Sequence, residues 1–146
     1  MKKSENLFLL IAFLLIAICT YFYVFPLLKN SNEPLTKEVA ELTIDANLLV
    51  KSFAIDEQKS NELYAGKIIE VTGTIKEITY YNNRTTIILN HKNRNTFGVI
   101  CDLNHTEEKK SQFLKPNQKI RVKGICKGYL KDVILLNCSI EVLTNE

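Results

Sequence analysis

Between Leu7 and Leu28 the chain runs LFLLIAFLLIAICTYFYVFPLL, 22 residues without one charge. At about 1.5 Å of rise per residue, a helix of that length reaches about 33 Å, enough to cross a hydrocarbon core of roughly 30 Å once. A helix apolar on every side needs either lipid or a large protein around it, and 146 residues leave no room for such a shell. Residues 7–28 are therefore read as a single transmembrane helix. Lys2 and Lys3 precede it as the basic region of a secretory signal would, but signal cores cover about 7 to 15 residues and end in small side chains. Here Thr20-Tyr21-Phe22-Tyr23-Val24-Phe25 prolongs the run with bulky groups, which favours an uncleaved signal anchor.

Cys19 raises lipidation as a rival, since Ile16-Ala17-Ile18-Cys19 matches the first two positions of a lipobox. Ile18 stands where Gly, Ala or Ser normally precedes a lipidated cysteine, so this reading is the weaker one. Tyr21, Tyr23 and Lys29 sit near one end of the run, where amphipathic side chains meet headgroups. The basic amino terminus assigns residues 1–6 to the cytoplasm and everything past the helix to the outside of a bacterial inner membrane.

Past the run, residues 29–43 are mostly polar and carry Pro34, as a juxtamembrane linker would. Taking Lys2, Lys3 and Glu5 away from 19 basic and 16 acidic residues leaves 17 and 15, a net +2 for the rest of the chain. That near balance is unlike the basic footprint of a dedicated nucleic-acid binder. From residue 44 a folded domain is expected. Thr43 or Asp45 caps a helix whose Ala46, Leu49, Val50 and Phe53 form one apolar stripe, and Asp56 caps a second that stops at Gly66. The period then changes to two. Ile69, Val71, Gly73 and Ile75 share one face of a strand that ends near Tyr80. Tyr81-Asn82-Asn83-Arg84 turns the chain into strands 85–90 and 97–103, which the polar tip His91 to Asn95 joins. Thr106 caps a helix over 107–114, closed by Pro116 and Asn117, and two strands follow, 118 to about 127 and 132–143, around a turn at Gly128 to Lys131.

A helix between the third and fourth of five strands is the element order of an OB-fold, a partly open Greek-key barrel. The fold expected is thus mainly β, a five-stranded OB barrel with N-terminal helices, preceded by one transmembrane helix. Over about residues 45–142 the chain also resembles the tRNA_anti-like family of OB-fold proteins, which includes bacterial envelope members. The marks are Phe53-x-x-Asp56-Glu57, Tyr64-Ala65-Gly66-Lys67, Val71-Thr72-Gly73, Val99-Ile100-Cys101, Val122-Lys123-Gly124-Ile125-Cys126-Lys127-Gly128 and Leu135-Leu136-Asn137-Cys138. The resemblance implies the fold; it carries over no catalytic residue and does not establish tRNA binding.

OB barrels bind across strands two and three with the loops joining strands one to two and four to five. Tyr80, Tyr81 and Arg84 occupy the first loop, Lys127, Tyr129 and Lys131 the second, so both pair ring faces with positive charge. These six are the candidate ligand site, although hairpin tips also collect Tyr, Asn and Lys for turn chemistry and solubility. The leading expectation is a membrane-anchored binding module for an extracytoplasmic protein, peptide or glycan. The alternative is single-stranded nucleic acid, for which rings between cations supply stacking and phosphate attraction. No enzyme is expected, since no G-x-S-x-G, P-loop or H-E-x-x-H occurs. With no C-x-x-C pair and with His91 and His105 both in loops, neither metal nor cofactor is expected. Strands three and five run parallel as neighbours in an OB barrel, so Cys101 and Cys138 are candidates for a disulfide. The same phase that brings them close also suits three buried free thiols, and both accounts stand at this point.

Overall fold

The computed structural model describes residues 12–24, 35–90 and 97–143. They fall into two units, divided between Glu33 and Pro34. In the first, residues 12–24 are helical (α1) with their apolar side chains exposed. Among the described residues no helix is long and apolar enough to cross a membrane. Both ends of the apolar run, like the polar tip 91–96, lie outside the described residues.

The second unit opens with a 3-10 turn at Leu35–Lys37, and Leu35 is buried. Strand β1, Leu42–Asp45, then pairs in parallel with Ile69 to Thr72. Leu42 and Thr43, placed in the expected linker over 29–43, are thus part of this strand. Four residues are too few to show a period, and their partners lie 27 positions further along the chain. Asp45 caps α2, Ala46–Ile55, by accepting the Asn47 N–H, and Asp56 caps α3, Glu57–Tyr64, by accepting the Lys59 N–H. Both caps satisfy donors that the first helical turn leaves orphaned. The stop after α3 is Gly66, at φ +81°, a conformation that needs no Cβ.

Strand β2, Ile68–Tyr81, carries Ile69, Val71, Gly73 and Ile75 inward, as its period of two requires. The Asn82-Asn83 loop has both residues at positive φ, which a two-residue type I′ hairpin demands, and it returns the chain as β3, Arg84–Asn90. Strand β4 is Val99–Leu103, β5 is Lys119–Leu130 and β6 is Asp132–Val142. The turn between the last two is tighter than expected: Leu130 faces Asp132, and Lys131 alone sits at the tip at φ +77°. Consequently Val133 faces Tyr129, and past a bulge between Cys126 and Gly128 Cys126 faces Leu135.

The strands join in the order β1-β2-β3-β4-β6-β5, and β5 pairs back onto β2, so β2 to β6 close a ring. Within the ring all neighbours are antiparallel except β4 with β6, and β1 joins β2 in parallel from outside it. A bulge in β2 between Ile75 and Glu77 lets one strand serve both β5 and β3. Helix α2 contacts β1, β2, β3 and β6 and so lies across one mouth of the ring, with Leu49 and Phe53 buried beneath it. Gly73 permits this approach, because a Cβ there would stand 3.0 Å from that of Ala46.

The other end is covered by a 3-10 turn, His105–Glu107, and the short α4, Glu108–Ser111. The helix expected over 107–114 is thus reduced to Glu108–Ser111 behind a 3-10 turn, with Asn104 rather than Thr106 accepting the first N–H. Glu107 is buried there. Its carboxylate accepts the Ile140 N–H at 3.1 Å and pairs with Lys110 at 3.0 Å, so the charge is compensated where it leaves water.

Candidate ligand face

The two ends of β4 set the frame. At its start, Gly98 N–H donates to the Asp132 carboxylate of the β5–β6 turn; near its finish, Asp102 pairs with Arg84 at the β2–β3 turn. The four residue steps between these ties are about 13 Å of strand. The six candidate residues therefore flank the outer face of β3 and β4 from opposite ends and do not form one cluster.

At the first end Tyr80, Tyr81 and Arg84 line a groove of about 350 Å³ with Glu108 of α4 and its C-cap Gln112. Tyr80 donates its hydroxyl to the Ser111 carbonyl at 3.2 Å, which fixes one wall. Tyr81 is 74% exposed. Arg84 is already engaged by Asp102, so its charge is half spent before any ligand arrives. At the second end Tyr129 is half-buried, its ring stacked on Phe53 at 5.7 Å between centroids, with the edge of Phe97 at 6.3 Å. One ring face that a ligand would stack on is thus used by the core. Lys127 and Lys131 are exposed, and among the described residues neither has an ionic partner.

Between the two ends runs a feature that the sequence reading missed. Thr85, Ile87 and Leu89 of β3 point inward, and so do Val99, Cys101 and Leu103 of β4. Thr86, Ile88, Ile100 and Asp102 alternate with them on the outer side and are half-buried. Ile88 faces Ile100 across β3–β4, and Ile100 faces Ile134 across β4–β6. Three isoleucines in register thus cross three strands on the outer face. The signal was available in TTIILN and VICDL, where apolar side chains fall on both phases of strands expected to have one wet face. Phe97, 46% exposed, and Asp102 were missed for a different reason: their partners lie in other strands.

Elsewhere the titratable groups are dispersed. His105 meets Glu108 at 3.2 Å on the exposed side of α4, and His91 lies outside the described residues. Among the described residues no three His, Cys, Asp or Glu side chains are disposed to hold a metal. Cys101, Cys126 and Cys138 are buried free thiols. Burial pushes the Cys126 thiol up, and pushes Cys138 well up, with the adjoining Cys101 thiol adding to the effect.

A closed five-stranded Greek key, helix-capped at both mouths and open along β3–β4, defines an OB-fold binding domain. The chain belongs to the tRNA_anti-like family, whose model matches residues 1–140. No curated protein matches it in sequence. Among solved structures it is similar to a Klebsiella pneumoniae lipoprotein provisionally described as nucleic acid-binding, with 14% identity and a TM-score of 0.61 over 75% of this chain and 99% of that one. A Leishmania major protein provisionally described as an aspartyl-tRNA synthetase aligns at 8% identity and a TM-score of 0.53, over 80% of this chain and 24% of that one. At such identities the likeness is one of fold.

Proposed function

We propose that the chain is a binding module tethered to the membrane by residues 7–28, that its barrel stands outside the cytoplasm, and that the outer face of β3, β4 and β6 takes a polypeptide partner. The observation that carries this reading is the row Ile88, Ile100 and Ile134, flanked by Tyr81 and Arg84 at one end and by Phe97 and Lys131 at the other. An apolar centre with a polar and aromatic rim is the ordinary anatomy of a protein interface. Single-stranded nucleic acid asks for something else, aromatic platforms along a cationic track. Here the centre is aliphatic, the nearest arginine is paired with Asp102, and the net charge past the apolar run is +2. The tether is supported by the uncharged run Leu7 to Leu28.

Single-stranded nucleic acid is the second reading, favoured by the family, by the description of the Klebsiella lipoprotein and by the exposed Tyr81 ring beside Arg84. A photoreactive residue placed at Ile100 or Tyr81 in cells separates the two. The expected adduct collapses on protease treatment and survives nuclease; a nuclease-sensitive adduct transfers the assignment to the second reading. Protease added to intact and to permeabilised cells tests the compartment, with the barrel expected to be cut only where the protease reaches the outer side of the inner membrane.

A further inference from the structure

The isoleucine row does not end on β6. Leu136 follows Ile134 on the same side of that strand, Leu136 faces Ile125 across β6–β5, and Ile125 faces Ile68 across β5–β2. Ile88, Ile100, Ile134, Leu136, Ile125 and Ile68 thus form one aliphatic ribbon on the outside of all the ring strands, and each is half-buried. At about 4.8 Å per strand the ribbon is about 19 Å long, the reach of about six residues of extended chain. Beyond Leu136 strand β6 bulges. Asn137 adopts φ +56°, β6 spends three steps where β4 spends two, Cys138 turns inward, and Ser139 takes the outer side facing Lys123. That next outer pair already lies against polypeptide. The turn Leu35–Lys37 packs on β5 and β6 with Leu35 only 7% exposed, Lys123 donates to the Glu38 carbonyl at 2.9 Å, and Ser139 is buried. Where the open ribbon stops, the chain seats a leucine and a main-chain carbonyl of its own.

The charges that border the ribbon are unequal. Asp102 is paired with Arg84, Glu70 and Glu141 with Arg121, and Asp132 accepts the Gly98 N–H. Glu77 faces Ile88 at the β2 bulge, where the exposed Lys76 beside it balances its charge. Lys127, next to the Gly128 that faces Ile134, and Lys131 at the tip beyond are exposed, with no ionic partner among the described residues. We infer that the partner of this face presents an aliphatic segment flanked by acidic side chains, the aliphatic groups lying along the ribbon and a carboxylate meeting Lys127 and Lys131. The inference rests on the proposed polypeptide reading of the face and adds the partner's chemistry to it. Contiguous apolar surface with a polar rim is where partners dock, and opposite charge at the rim steers the encounter and rejects like-charged competitors. A cationic segment gains the same apolar contact but meets the two lysines with repulsion. A single nucleic-acid strand is drawn to the lysines but finds aliphatic side chains where its bases need rings to stack on.

The test holds the full chain in a nanodisc of zwitterionic phosphatidylcholine, which leaves no free detergent to compete for the ribbon, with its isoleucine methyl groups labelled for NMR. The probes are a short peptide alternating Leu and Glu, one alternating Leu and Lys, one alternating Ser and Glu, and a short thymidine oligonucleotide. The Leu–Glu peptide is expected to move the methyl signals of Ile88, Ile100, Ile134, Ile125 and Ile68 at a concentration roughly tenfold below that which the Leu–Lys peptide needs, with the Ser–Glu peptide silent. In the Lys127→Glu/Lys131→Glu variant the order of the two leucine peptides is expected to reverse, while the signals of the inward Ile69, Ile75 and Ile87 stay in place and report an intact barrel. Equal response to the two leucine peptides, or a response to Ser–Glu as strong as to Leu–Glu, overturns the inference and leaves the polypeptide reading standing. Response to the oligonucleotide alone overturns both. Signals unmoved by every probe overturn the inference, and the photoreactive residue at Ile100 then judges the polypeptide reading separately.

Discussion

At the β2–β3 turn Tyr81 stands 74% exposed beside Arg84, whereas at the β5–β6 turn Tyr129 is half-buried with its ring laid on Phe53. Both turns offer a tyrosine next to a cation at a tight hairpin, and in sequence they are equivalent. What separates them is which mouth of the barrel each one borders. The β5–β6 turn meets the end covered by α2, whose Phe53 reaches the strand ring; the β2–β3 turn meets α4, which offers Tyr80 a carbonyl and leaves Tyr81 uncovered. A ring at a hairpin tip is therefore a ligand surface only where the neighbouring cap brings no apolar group to it.

The largest effect that bears on this contrast belongs to Phe53→Ala, expected to cost about 3–5 kcal/mol in chemical denaturation, since it empties the mouth under α2. Tyr129→Ala should follow at about 2–4 kcal/mol, through lost burial and a lost ring stack. If Tyr129→Ala were as silent as a surface change, the two turns would be equivalent after all. An intermediate effect compares the thiols of the same two ends. In reduced protein the native chain keeps protons that the unfolded chain sheds above the ordinary thiol value of 9.0, because Cys138 and, less so, Cys126 are pushed up by burial. The stability this supplies is whole below that pH and is lost as pH rises through the folded values, by on the order of 1 kcal/mol per pH unit for one thiol. Cys138→Ala should flatten this alkaline slope more than Cys126→Ala. The smallest effect belongs to the exposed turn. Tyr81→Ala should change stability by no more than about 0.5 kcal/mol and Arg84→Ala by less than about 1 kcal/mol, while both weaken partner crosslinking.

Much of the barrel was legible because its strands obey a period of two over seven or more residues, as β2, β5 and most of β6 do, and because Asp45, Asp56 and the Asn82-Asn83 turn carry local chemistry that needs no distant partner. What could not be read is whatever depends on a second segment. Strand β1 is a strand only because β2 lies beside it, and Tyr129 is packed only because Phe53, far earlier in the chain, arrives over it. The bulge that turns Cys138 inward is written locally as Asn137 in the left-handed region, yet its register is set by Leu103, which faces Cys138 across the pair. The candidate residues at the two ends were legible as types. The isoleucine row between them needed the register of three strands.

The order of strands in the ring has a consequence for biosynthesis. The last strand of the ring to be made, β6, is the one that fits between β4 and β5, and β4 has only β3 beside it until then. A chain synthesised from its N-terminus therefore exposes the inward sides of β3 and β4, with Ile87, Leu89 and Val99, until residues near 140 have been made. Pairing of such distant segments is slow compared with local structure. The ring can shut only after β6 has been made, and during that interval the half-built sheet must be shielded from other chains.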